Sequence, residues 1–201
     1  MHKLLRLLGI VIVAISSHVN ATTLPRIAIE QLFRDADVVV IAEITSGELI
    51  GIGEETCGAK YYARVEESFK GSSKGATIEF GNYYGYELGG RYVFFLVGAG
   101  RRYEPLMSTN SNDLKAKAEA LARCRDKLDR NTVMHSGNGA LPIHWTSKFK
   151  YNDGVRVPTR YVVLPKDMET TPAIASEQEE FSETVWVRLE NMVRMLNGLG
   201  R

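Results

Sequence analysis

The sequence predicts an α+β fold: a strand-rich first half with flanking helices, then a β-hairpin and a last helix. Three observations predict it. Short β-branched and aromatic runs bounded by Gly-rich turns recur between residues 38 and 97. A helical spacing of apolar residues takes over at 114–129. An alternating run at 141–151 meets Asn152-Asp153-Gly154, a strong hairpin turn, and residues 155–164 return as its partner.

In chain order, residues 26–35 read as a short helix after Pro25, with Ile29, Leu32 and Phe33 on one face. Residues 38–44 read as a buried strand. A loop with Gly47, Gly51, Gly53 and Gly58 follows; it lacks the Lys-Ser/Thr ending of a phosphate loop and leads into no helix. Residues 61–69 alternate, with Tyr61, Ala63, Val65 and Phe69 on one face. After a Lys70–Gly75 turn come a strand at 76–80, a tyrosine-bearing loop at 81–90 and a strand at 91–97. That last strand is apolar on both faces and so predicted to be central. A short fifth strand is expected at 103–107.

A helix follows at 114–129, with Leu114, Ala118, Leu121, Cys124 and Leu128 on its stripe, and 131–139 breaks it. In the hairpin, Leu141, Ile143, Trp145, Phe149 and Tyr151 point one way. His144, Thr146, Lys148 and Lys150 point the other. Ser176 and Glu179 form a capping box opening a helix with Phe181, Val185, Leu189, Met192 and Leu196 on one face, ended by Gly198.

The N-terminus reads as a secretory signal: basic Lys3 and Arg6, an apolar run at 7–15, and small residues Val19 and Ala21 before a cut after Ala21. The run is too short to span a bilayer, and no later segment is long and apolar enough to do so. Removing 21 of 201 residues leaves 180; removing Lys3 and Arg6 from 25 basic residues leaves 23 against 24 acidic, a net charge of −1. That balance does not suggest a nucleic-acid binder. Cys57 and Cys124 remain, and export favours one intramolecular disulfide between them. Two buried thiols or an intermolecular link are the alternatives, and neither Cys sits in a nucleophile motif.

Three segments carry a family likeness: Ala36-Asp37-Val38-Val39-Val40, Tyr62-Ala63-Arg64-Val65 running to Lys70-Gly71, and Leu88-Gly89-Gly90-Arg91-Tyr92-Val93-Phe94-Phe95-Leu96. Over about residues 28–130 the chain resembles exported bacterial proteins related to the netrin-like and tissue-inhibitor-of-metalloproteinase group. The resemblance implies a small OB-like β-barrel with flanking helices. The chain is therefore expected to comprise a signal (1–21), a barrel with flanking helices (22–130) and, outside the resemblance, a hairpin-helix extension packed on the barrel (131–201). The inhibitors chelate zinc through an N-terminal Cys, whereas the expected mature chain starts at Thr22, so that mechanism does not carry over.

Few residues carry a recognisable chemical motif. After signal removal His135 and His144 remain, without the tight ligand pairs of zinc sites, and no metal or cofactor is expected. No Gly-x-Ser-x-Gly elbow occurs. Two binding candidates remain. Tyr83, Tyr84 and Tyr86 form an aromatic loop suited to contact; the plainer reading is that their rings close the barrel's end. His144, Lys148, Lys150, Arg156 and Arg160 form a basic stripe if the hairpin pairs across 152–154, suited to an anionic surface; the plainer reading is a solvated strand face.

The expected function is therefore a non-catalytic binding or interaction module, periplasmic or secreted, with a protein partner in the envelope or outside the cell. The alternatives are an envelope hydrolase with a site around His135 and His144, or a structural envelope protein.

Overall fold

The computed structural model describes residues 25–52, 55–81, 85–98, 131–146, 149, 152–173 and 183–201. In order they form β1 (Ile27–Ala28), α1 (Ile29–Asp35), β2 (Val38–Ile52), β3 (Glu55–Lys70), β4 (Thr77–Gly81), β5 (Arg91–Gly98) and β6 (Asn131–Val133). A 3-10 turn (His135–Gly137), β7 (Ala140–Thr146), β8 (Asn152–Pro158), β9 (Val162–Val163), β10 (Thr171–Pro172), β11 (Thr184–Arg188) and α2 (Leu189–Leu199) complete them.

β2 pairs antiparallel with both β3 and β5, and β3 pairs antiparallel with β4. β6 lies parallel to β4 and antiparallel to β5, closing the ring. This is a closed five-stranded OB-like barrel in an α+β fold. Its interior takes Val40, Ala42 and Ile44 from β2, Ala63 and Val65 from β3, Phe80 from β4, Phe94 and Leu96 from β5, and Val133 from β6.

The opposite faces of β2 and β5 are equally apolar, and they build a second core. Val39, Ile41, Val93 and Phe95 meet Leu32 and Phe33 of α1 and Met192 and Leu196 of α2. β7, β8, β11 and β10 extend the sheet outward from β5, and Leu141, Ile143, Val155, Val157 and Val187 join that core. β5 is thus central, as expected, and buried on both faces.

One edge of β5 serves two strands. Gly98 to Leu96 pair with β6, and Phe94 to Arg91 pair with β7. Between them Phe95 bonds both ends of a looped-out segment. Its carbonyl accepts the Met134 N–H at 3.0 Å, and its N–H donates to the Gly139 carbonyl at 2.8 Å. His135 sits in this loop at φ 52°, in the left-handed region.

The Gly-rich segment 47–58 is not a loop at its ends: β2 and β3 pair from Ser46 with Tyr62 out to Ile52 with Glu55. Glycine weakens a strand but does not stop two backbones from bonding. Phe69 does not share the face of Tyr61, Ala63 and Val65. Between Val65 and Lys70 the register skips Glu66 and Phe69, so this end of β3 bulges twice and Phe69 turns to the second core. Residues 131–133 are the barrel's closing strand, not merely a helix break.

The hairpin turn is not at Asn152–Gly154, which lies inside β8; β7 ends at Thr146 and the connection spans 147–151. Gly154 serves close packing there. A Cβ on it would sit 2.9 Å from the Phe149 ring. Phe149 therefore lies over the face of Thr146, opposite to the expected one. The return strand stops at Pro158; after a turn, β9 pairs in parallel with β1. In the last helix, Val185 belongs to a strand: residues 184–188 form β11 against β8, and α2 begins at Leu189. The expected strand at 103–107, the helix at 114–129, the capping box and the Cys57–Cys124 bridge fall outside the described residues or side chains.

The motifs behind the family likeness have structural work. The Asp37 carboxylate accepts the Gly98 N–H at 2.9 Å, pinning the end of β5. Gly71, at φ 69°, packs so closely that a Cβ would lie 2.0 Å from the Asp37 carbonyl oxygen. Gly71→Ala is therefore expected to destabilise by about 3 kcal/mol, from strain plus overlap. Gly75→Ala, with φ 81° but open space around it, should cost only about 1 kcal/mol. Urea denaturation of the two variants checks the order; equal losses would contradict the packing argument.

Candidate functional site

The face of β5 that lines the barrel continues outward along β7, β8 and β11. There it leaves the barrel and carries side chains toward solvent. His144 lies opposite Gly154, and Arg156 opposite Trp186. Cross-strand partners share a face, and the alternate residues Ile143, Val155 and Val187 point into the second core. His144 and Trp186 meet edge to face with ring centroids 5.9 Å apart. Arg188, opposite Gly154, places its guanidinium 5.3 Å from the Phe149 ring centre. His144 is exposed, while Arg156 and Trp186 are half-buried.

The basic stripe is thus only partly assembled. His144 and Arg156 share the face. Arg160 leaves it: the turn after β8 carries it to Tyr161, whose ring centre lies 5.7 Å from the guanidinium. Lys148 and Lys150 lie outside the described residues. Trp186 is the member that sequence reasoning missed, because residues 184–188 were assigned to a helix. The β-branched and aromatic run Thr184-Val185-Trp186-Val187 was the available strand signal.

Tyr86 sits at the barrel's end as the hub of an aromatic cluster. Its ring lies 5.1 Å from Tyr61, 5.6 Å from Phe80, 5.5 Å from Tyr92 and 5.9 Å from Phe94, in edge-on arrangements. This packing makes Tyr86 a plug for the interior. Tyr83 and Tyr84 lie outside the described residues.

The two histidines have different surroundings. His135 is 2 % exposed, held in its left-handed turn, and hydrogen-bonded to the backbone of Pro25. His144 stands on the outer face beside Trp186. Among the described residues, no three His, Cys, Asp or Glu side chains gather as a metal-binding group. A cleft of about 450 Å³ lies between α1, the end of β3 and the end of α2. Phe33, Phe69 and Leu199 line it with Glu30, Arg34 and Lys70. The Lys70 ammonium is already engaged, donating to the Phe33 and Arg34 carbonyls at 3.2 and 2.9 Å. It thereby satisfies the last carbonyls of α1.

At the joint between barrel and extension, Arg91 bonds Glu66, a bulge residue of β3, at 2.9 Å, and Asp153 of β8. One guanidinium thus ties the barrel wall to the strands that carry the face.

Burial holds the His135 imidazole below the ordinary histidine range, and its bond to Pro25 opposes this only in part. The unfolded chain therefore takes up the proton first as pH falls. The stability due to neutral His135 is fully present above about pH 6.5 and is lost as pH drops through the lowered folded value. His135→Asn, which tolerates left-handed backbone and does not titrate, is expected to flatten the stability profile between about pH 7 and 5. Denaturant midpoints across that range check this; parallel profiles for the two proteins would refute it.

Compared with protein-family models, curated proteins and solved structures, the chain matches none.

Proposed function

We propose that the protein is an exported, non-catalytic binding module, and that its partner is another protein of the envelope or the extracellular space. The observation that carries this reading is the outer face of the strand extension, where His144, Arg156 and Trp186 stand together on strands sealed from behind by the second core. Aromatic and arginine side chains on a rigid support are the groups that anchor protein interfaces. Small barrels of this class also recruit ligands with a strand face and loops. The N-terminal basic, apolar and small-residue pattern supports export.

The test uses the mature chain, immobilised and exposed to its own envelope fraction, beside a His144→Ala, Arg156→Ala, Trp186→Ala variant. A partner retained by the wild type is expected to lose about thirtyfold or more in affinity, the effect of losing one anchor worth about 2 kcal/mol. The Arg156 share of that binding is expected to weaken with added salt. A partner bound equally by both proteins would place the interface elsewhere, and retention of no protein by the wild type would overturn the reading.

A further inference from the structure

Beyond the barrel, β2 and β3 continue as a two-stranded ribbon, and one of its edges is unpaired among the described residues. β5 accompanies β2 from Val38 only to Glu43. At Ile44 the pairing is finished by the turn before β5: the Ile44 N–H donates to the Gly90 carbonyl at 2.9 Å, and the Ile44 carbonyl accepts the Gly89 N–H at 2.8 Å. From Thr45 to Ile52, no described residue pairs with that side of β2. Residues 45–49 are all exposed, and Leu49, at 74 %, is the most exposed large apolar residue described.

Edge strands are normally protected by Lys, by Pro or by extreme shortness. This edge reads Thr-Ser-Gly-Glu-Leu-Ile-Gly-Ile, with no Lys, Arg or Pro and a single charge at Glu48. Gly47 and Gly51 flank Leu49 symmetrically in the sequence, and the Tyr61 ring packs over Gly47, 3.0 Å from where a Cβ would sit. A two-stranded ribbon is itself marginal in water and gains from a third strand.

We propose that this edge pairs antiparallel with the same edge of a second copy of the chain, about a two-fold axis through Leu49. That register sets Gly47 against Gly51, Glu48 against Ile50 and Ser46 against Ile52. It places each exposed Leu49 against its symmetry mate and keeps the two Glu48 carboxylates apart, whereas a register centred on Glu48 would oppose like charges. The two β2 strands then join both barrels into one continuous sheet. So short a pairing buries well under the roughly 1,600 Å² of a standard interface, so the self-association is weak and concentration-dependent.

Light scattering or sedimentation of the full mature chain tests this. The average mass is expected to rise from that of one chain toward that of two as concentration approaches about 1 mM. Leu49→Lys, which sets two ammonium groups across the axis, is expected to stay monomeric with an unchanged thermal midpoint. Leu49→Cys is expected to give covalent dimers with a short bismaleimide, above the background of the native cysteines, and Thr45→Cys is not. A wild type that stays monomeric at about 1 mM overturns the proposal. So does a Leu49→Lys protein that associates like the wild type, or equal crosslinking at positions 45 and 49.

Discussion

The structure depends on the burial of β2 and β5 on both faces. A strand normally hides one face and wets the other, and its sequence alternates accordingly. Here Val40, Ala42, Phe94 and Leu96 point into the barrel, while Val39, Ile41, Val93 and Phe95 point out of it and are just as deeply buried. The barrel alone would leave that outer apolar stripe exposed. α1, α2 and the strands beyond β5 cover it, so barrel and extension are joined by a shared pair of strands rather than by a linker.

The looped-out segment at 134–139 follows from this constraint. The edge of β5 must first close the barrel with β6 and then start the outer sheet with β7. The chain makes that change of partner within a few residues by throwing a loop out at Phe95 and turning His135 left-handed. The His135 ring is buried there and bound to Pro25, which ties the start of the described chain to the joint. Arg91 fastens the other end of the same edge through Glu66 and Asp153. The outer strands are therefore tied at both ends of that edge, and a fixed support of this kind is what the proposed binding role of the His144, Arg156 and Trp186 face requires.

The proposed binding face and the edge left unpaired among the described residues lie on different parts of the same sheet. The face belongs to strands added beyond β5, and the edge belongs to the overhang of β2 past β5. Each arises where one strand outruns its neighbour or its cover. The two proposed contacts therefore do not compete for the same strands.

What the sequence determined by itself was local: the strands at 38–44 and 91–97, the central place of the latter, the Lys70–Gly75 turn, the short helix carrying Ile29, Leu32 and Phe33, and the α+β class. These follow from hydrophobic runs and turn residues that need no distant information. Tertiary structure decided what alternation cannot carry across a bulge or a change of partner. The double bulge in β3 sent Phe69 and Glu66 to places a strict period of two denies them. Pairing with β8 made a strand of 184–188, where the apolar spacing equally suits a helix. Gly154, which reads as a turn signal, serves the packing of Phe149. Two of the three residues of the candidate face, His144 and Arg156, were legible as polar residues on a hairpin; Trp186 was not, because only the register of β11 on β8 brings it beside them.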